Sequence, residues 1–383
     1  MKKQVLIFNH RGAFGNVFEP NSYDAILFSL EAESTYESAE CDLVLTKDGY
    51  GIIEHDPIDE NANEINKRYK TLISYDSLLK LLSYKKYKRK RVYLDIKIPH
   101  NKLNIPVFLK SISKFGKRIF VGVNGYTYLR ELILWTNILE LTDKNYKRPI
   151  FVQGIPQPIR SAIWGPKSKS KYIQMDFIDN FLSINKLDHL RKEVHEYKLK
   201  HPEKFAPDYL HAYFTHHIIM LILNEGKIGP FKFGISRGNR MDYQDLIHLY
   251  SPDIDENRIL YKFISSVPHI PIIKYIQKAW LYRFFYLSRK KGYKVIAPSD
   301  SSRKDMMDYI NEGRVDGIMP NIPEIPHMDV PLHNERLHRL KEIAFEKNPY
   351  LYLGKIVDHI EKRKKQLKAR GFDQFIFNTS LTK

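Results

Sequence analysis

Two histidines, an arginine and the closely spaced carboxylates Glu40 and Asp42 fall within the first 56 residues, in the stretches NHRG (9–12) and AECDLVLTKDGYGIIEHD (39–56). Glu40 and Asp42 stand two apart in a run (38–46) that reads as a strand, and residues i and i+2 of a strand share a face. Two carboxylates converging beside a turn make half of a site for a hard divalent cation, which prefers oxygen ligands. The stretch VYLDIKIP (92–99) supplies the other half, because Asp95 and Lys97 again share one strand face. His10 and His55 titrate near neutrality, so one can take a proton while the other gives one. Arg11 and Lys97, beside a metal, would neutralise the charge on a pentacoordinate phosphorus. Together these groups suit the cutting of a phosphodiester: Glu40, Asp42 and Asp95 would hold one Mg²⁺ or Ca²⁺, and Arg11 and Lys97 would hold the phosphate.

Such groups need a scaffold that brings strand ends together. His10 closes the apolar run 4–9 and His55 closes 50–54, while Glu40/Asp42 and Asp95/Lys97 lie near the downstream ends of their own runs. Parallel α/β barrels build active sites at that end. Helical patterns over 21–33, 74–82, 104–115 and 126–141 alternate with strand-like runs at 92–98, 118–123 and 149–153, the rhythm of βαβ units and a parallel sheet. The expected fold is an α/β TIM (β/α)8 barrel over residues 1–330. Its middle, 155–290, is longer than a minimal barrel needs and is expected to hold expanded loops and helices, at 181–200, 207–224, 242–250 and 270–290. Residues 331–383 read as an appended basic helical segment, with helices at 334–345 and 356–370.

Several tempting residues have plainer readings. His211, His216 and His217 lack carboxylate or cysteine partners at ligand spacing and read as surface or packing residues. Cys41, between Glu40 and Asp42, points to the opposite strand face and reads as packing. Asp56 is placed to orient His55 or to cap the next turn, and Lys47, Asp48 and Gly49 form a tight turn.

At these residues the sequence resembles the glycerophosphodiester phosphodiesterases. Their pattern is His-Arg-Gly, Pro-Glu-Asn-Thr, Glu-x-Asp with Thr-Lys-Asp-Gly, His-Asp and an acidic-x-Lys strand. It is matched by His10-Arg11-Gly12, Glu19-Pro20-Asn21-Ser22, Glu40-Cys41-Asp42 with Thr46-Lys47-Asp48-Gly49, His55-Asp56 and Asp95-Ile96-Lys97. Residues 291–324 are similar to the family's last two strands and the helix between them, so the resemblance covers 1–125 and 290–325. It implies the same barrel, metal-dependent cleavage and a small-molecule or lipid-derived phosphodiester as substrate.

The departures bear on the substrate. EPNS inverts the order of the family's first two residues and leaves Glu19 without an assigned role. Asp95 stands where the family more often has glutamate, as in the related sphingomyelinase D branch; that branch lacks an arginine after its first histidine, and Arg11 is present here. Ala297-Pro298-Ser299-Asp300 replaces an aromatic Trp-Thr-Val-Asn element, and the Arg-Thr-Thr signature after His-Asp is missing. The alcohol groups stay open between glycerophosphodiesters and, for a phospholipase D-like enzyme, sphingomyelin or lysophospholipid. Hydrolysis, cyclisation and phosphodiester-forming transfer would share the same site. A catalytically silent barrel with a binding role is the alternative from another class.

The chain's 383 residues are 43% hydrophobic, enough for a large core, and carry a net charge of +18 at pH 7. One cysteine rules out an intramolecular disulfide and fits a reducing compartment. No stretch approaches the roughly 18 apolar residues of a spanning helix, and the first apolar run is too short for a signal peptide, so the expected location is cytoplasmic. The basic runs 85–91 (KKYKRKR) and 361–370 read as solvated faces, with peripheral contact to an anionic membrane surface as the functional alternative. No nucleic-acid-binding motif is found, and no nucleic acid partner is expected.

Overall fold

Among the described residues, short runs of aliphatic, aromatic and β-branched residues form ten strands: β1 (Leu6–Asn9), β2 (Glu37–Leu45), β3 (Gly51–Ile53), β4 (Ile73–Ser74), β5 (Val92–Ile96), β6 (Ile119–Val123), β7 (Ile150–Ile155), β8 (Tyr209–Ala212), β9 (Lys294–Ala297) and β10 (Gly317–Ile318). The computed structural model describes residues 5–12, 18–31, 37–123, 126–155, 173–212, 281–282, 284–297, 303–320 and 349–382. Eight strands pair in the order β1-β10-β9-β8-β7-β6-β5-β2, and β2 returns to β1, which closes a barrel. Every pairing in that ring is parallel. Parallel neighbours need crossovers, and helices supply them. These are α1 (Tyr23–Glu31), α2 (Ala62–Arg68), α3 (Tyr75–Ser83), α4 (Ile105–Ser113), α5 (Tyr126–Thr142), α6 (Met175–Ile184), α7 (Arg191–Lys200) and α8 (Arg303–Asn311); α9 (Pro349–Ala369) follows the last strand. The architecture is the expected (β/α)8 barrel.

Alternation along the strands sorts the core into two layers. Ile7, Cys41, Leu43, Leu94, Val121 and Leu210 face the helices. Leu6, Phe8, Tyr93, Phe120, Val152, Tyr209, Ile296 and Met319 fill the barrel interior. Phe8 sits edge-on to Tyr93 at 5.4 Å and to Phe120 at 4.9 Å, contacts that add about 0.5–1.5 kcal/mol each beyond the area they bury. This plug makes a dry floor under the C-terminal ends of the strands.

Three elements differ from the sequence reading. The expected helix at 207–224 begins instead as β8, because Tyr209 faces the interior while Leu210 and Ala212 face the helices, a period of two. The expected helix at 181–200 is interrupted between α6 and α7, where Lys186 adopts φ 57°. The run before His55 is not a barrel strand: β3 pairs antiparallel with the far end of β2, and β4 pairs antiparallel with β3. The expected helices at 242–250 and 334–345, together with His216, His217 and Asp300, lie outside the described residues.

The basic C-terminal helix is tied into the barrel wall. Arg363 Nε lies 2.9 Å from Glu31 Oε1, and Lys364 Nζ lies 2.9 Å from Asp24 Oδ1. Lys86 and the Tyr87 hydroxyl also bond Glu31, so the basic run 85–91 meets the helix there. Burial alone would raise the Glu31 pKa, but bonds from Lys86 and Tyr87 and the charges of Lys86 and Arg363 outweigh it and hold it low. Glu31 ends α1, and Tyr87 lies between α3 and β5. Both are helix-to-strand connections, at the barrel end opposite the carboxylates. Among the described residues, no helix is long and apolar enough to cross a membrane.

Candidate active site

The site is assembled by register. Asp42 of β2 pairs across the parallel ladder with Asp95 of β5, and Glu40 lies one interior position earlier. One carboxylate oxygen from each of Glu40, Asp42 and Asp95 lies within 4.8 Å of the others, and all three residues are buried. Lys97, two residues beyond Asp95, places Nζ 2.7 Å from Asp95 Oδ2 and 3.4 Å from Asp42 Oδ1. Burial would lower the Lys97 pKa, but Asp95 and Asp42 outweigh that and push it up, so the amine stays charged.

β1 delivers the other cation through a tight turn. Arg11 sits at φ 55°, ψ 26° in the short helix His10–Gly12, a left-handed conformation unusual for a side-chain-bearing residue. The twist aims the Arg11 N–H at Glu40 Oε2, 2.6 Å away, and brings its Nε to 3.3 Å from Asp42 Oδ2. Gly12 follows at φ +61°, where a Cβ would lie 2.9 Å from the Ile26 nitrogen, so only glycine lets α1 dock this closely.

Asn21 is a residue whose role the sequence reading missed. Buried, at φ 61°, it donates from Nδ2 to Asp42 Oδ2 at 2.9 Å and accepts from the Asp42 N–H at 3.1 Å. Its own N–H donates to the Arg11 carbonyl at 2.7 Å. The available signal was an asparagine in a turn after β1, since asparagine tolerates left-handed backbone. Glu19, whose role was left open, is exposed.

The acids do not share their charge evenly. Burial, then the charges of Asp42 and Asp95, push the Glu40 pKa well above the ordinary carboxylate range. Burial acts the same way on Asp42, but Lys97, the Asn21 hydrogen bond, His55 and Arg11 outweigh it and keep Asp42 ionised. Three buried oxygen donors of which one is pushed toward its neutral form are a set that a divalent cation fits. Such a cation would restore the Glu40 charge, and three protein ligands leave positions for water or substrate oxygens.

His10 begins the short helix after β1, its N–H directed at the Pro320 carbonyl at 3.3 Å. His55 lies beyond β3 with its side chain 39% exposed, Nδ1 2.7 Å from Asp56 Oδ1. Its N–H is held by Glu54 Oε1 at 2.6 Å, and the Glu54 N–H bonds the Asp42 carbonyl at 3.1 Å. His55 is close enough for its charge to act on Asp42. The seven residues singled out from the sequence thus sit at the ends of β1 and β5, within β2 and just beyond β3.

His211, read from the sequence as a surface or packing residue, is a packing one. It is not on the surface but inside the barrel, 1% exposed, with Nδ1 3.5 Å from the Tyr93 hydroxyl. Burial, then the charges of His10 and Lys97, push its pKa down to about 3 against the pull of the Ala297 carbonyl, so the ring is neutral. The alternation of Tyr209 and His211 was the signal available.

No family model matches the sequence, and no curated protein does. Among solved structures, the chain is similar to a glycerophosphodiester phosphodiesterase from Thermotoga maritima (14% identity, 85% of this chain and 98% of that one, TM-score 0.41). It is also similar to one from Agrobacterium tumefaciens (13% identity, 84% and 98%, TM-score 0.40). A third likeness is to an Oleispira antarctica phosphodiesterase in complex with the product sn-glycerol-3-phosphate (12% identity, 83% and 94%, TM-score 0.38). The barrel rests on its own strand pairing.

Proposed function

We propose that the chain is a divalent-metal-dependent phosphodiesterase of the glycerophosphodiester phosphodiesterase type, acting on a small-molecule or lipid-derived diester. The observation that carries this reading is the cluster itself: three buried carboxylates with oxygens within 4.8 Å of one another, set against Lys97 and Arg11. With three ionised acids and two cations, the cluster has one excess negative charge. A divalent ion turns that into one positive charge, the complement of the single negative charge of a phosphodiester.

Glu40, Asp42 and Asp95 are the residues that would hold the ion, which when bound would polarise the phosphate oxygens. Arg11 and Lys97 add fixed positive charge beside the same phosphate. Asp56 accepts the Nδ1 proton of neutral His55, so Nε2 is the nitrogen that exchanges protons with the substrate. His10, on the opposite side of the acid pair in sequence, supplies the second proton-transfer group. The aromatic plug beneath keeps bulk water from the floor of the site and strengthens each of these interactions.

³¹P NMR of the purified protein with glycerophosphocholine, lysophosphatidylcholine or sphingomyelin, each with Mg²⁺, Ca²⁺ or EDTA, tests the reading. The expected result is loss of one diester resonance that EDTA abolishes, with the product peak reporting hydrolysis or cyclisation. Unchanged spectra for all three substrates in both metals would overturn it.

A further inference from the structure

After α9 the chain turns back and runs across the barrel toward the catalytic end. Gln374 bonds the Lys70 and Leu72 carbonyls through Nε2, both at 2.8 Å, and its own carbonyl accepts from Ser74 N–H at 2.9 Å. Ser77 Oγ accepts from Ile376 N–H at 2.9 Å. Asp76 Oδ2 accepts from the N–H groups of Asn378 and Thr379 at 2.7 and 2.8 Å. Phe375 and Phe377 pack on the small cluster formed by Val44, Ile52, Ile65 and Leu72.

The segment then joins two loops. Leu381 N–H donates to the Gly49 carbonyl at 2.8 Å, and Asn104 N–H donates to the Leu381 carbonyl at 2.7 Å. Ser380 bridges Tyr50, and Thr382 bridges Leu103. Leu381 is fully buried. At Gly49, with φ +88°, a Cβ would lie 2.6 Å from the Thr382 side chain, so the turn accepts the segment only because it carries glycine there. Gly49 belongs to the turn between β2 and β3, which leads to His55. Leu103 and Asn104 belong to the loop that follows Asp95 and Lys97.

We propose that residues 374–382 are a positioning element of the active site, clamping the Thr46–Tyr50 turn to the 97–104 loop so that His55 and Lys97 stand in fixed register over the carboxylates. Nothing else described spans these two loops through main-chain bonds on both sides. The Lys97 N–H to Leu43 carbonyl bond at 3.0 Å holds the start of the 97–104 loop to β2, and the strap, joined by backbone bonds on both sides, fixes the far part of that loop to the turn. The catalytic consequence rests on the phosphodiesterase reading; the clamping itself does not.

The test uses the full chain with Asp76→Ala, which removes the acceptor holding Asn378 and Thr379 without touching either clamped loop. Asp76→Asn keeps an acceptor oxygen and serves as the rescue, and Leu381→Ala is the second route to release. Amide exchange at Asn104 and Leu381 reads the strap, the ring resonances of His55 read its position, and titration with Mn²⁺ reads the carboxylates. The expected result is faster exchange, a displaced His55 signal, Mn²⁺ affinity kept within about twofold, and kcat lower by roughly ten- to hundredfold, with Asp76→Asn close to wild type. Faster exchange with an unmoved His55 signal and unchanged kcat would overturn the proposal, as would slow exchange at Asn104 in both releasing variants. If the wild type turns over no diester, the functional reading fails, and the His55 signal still decides the clamp.

Discussion

Asn21 grips Asp42 from both sides of its side-chain amide, donating to the carboxylate and accepting from the backbone N–H of the same residue. The two hydrogen bonds fix both the strand position and the carboxylate orientation of Asp42. Because the backbone N–H of Asn21 also bonds the Arg11 carbonyl, one buried asparagine ties together the turn after β1, the start of α1 and the acid pair on β2.

Asn21→Gly keeps the left-handed backbone and removes only the grip. It is expected to weaken Mg²⁺ or Mn²⁺ binding by about 10–100-fold, the usual effect of losing a group that orients a metal ligand. Asn21→Ala should add about 1–2 kcal/mol of backbone strain in stability. Isothermal titration checks the first and thermal unfolding the second. Wild-type affinity in the glycine variant would remove Asn21 from the site.

His10→Ala and His55→Ala should each lower kcat by about 10²–10⁴-fold while leaving the far-ultraviolet dichroism unchanged. Asp56→Asn should have a smaller effect, because its amide oxygen can still accept from Nδ1–H of His55 and keep Nε2 open for proton exchange. A histidine variant that kept near-wild-type turnover would break the acid–base pairing.

His211 makes stability depend on acid. Its ring takes a proton near pH 6.5 in the unfolded chain but only near 3 in the fold, so the unfolded state holds more protons between those values. The stability gained from a neutral ring is complete above the higher value and lost as pH falls toward the lower, with a slope of up to ~1.4 kcal/mol per pH unit. Urea unfolding of His211→Gln at several values between pH 4 and 6 should show a flatter dependence than wild type. Parallel curves would mean that His211 is charged in the fold.

Glu31 and Arg363 form the pair on which the C-terminal helix turns, with side chains 4% and 9% exposed. Arg363→Ala leaves Glu31 to Lys86 and the Tyr87 hydroxyl and is expected to destabilise the fold by about 1–3 kcal/mol. Glu31→Gln combined with Arg363→Met should recover much of that loss. An additive double-mutant cycle would show the two residues to be uncoupled.

The parts of the fold visible in the sequence are those set by local pattern. Glu40, Asp42, Asp95 and Lys97 were legible because strand alternation alone places them on one face, and β5, β6 and α5 followed from their apolar runs. Asn21, His211 and residues 374–382 were not, because their roles are set by partners far away in the chain. Asn21 looks like a helix start until β2 arrives beside it. His211 lies in a stretch whose helical appearance yields to pairing with β7 and β9. The final segment has no periodicity of its own, and its hydrogen bonds go to Ser74, Asp76, Gly49 and Asn104.

Cys41 gives the molecule a built-in clock. It is the chain's one thiol, fully buried on β2 between two of the acids, and burial, then the charges of Glu40 and Asp42, push its pKa well up. Thiol reagents attack the thiolate, so labelling must wait until β2 parts from its neighbours. The labelling rate therefore measures how often the barrel opens along the strand that carries the candidate ligands. A cation held by those ligands would slow the clock by the factor 1 + [M]/Kd, so its affinity can be read from a sulfur atom that never touches it.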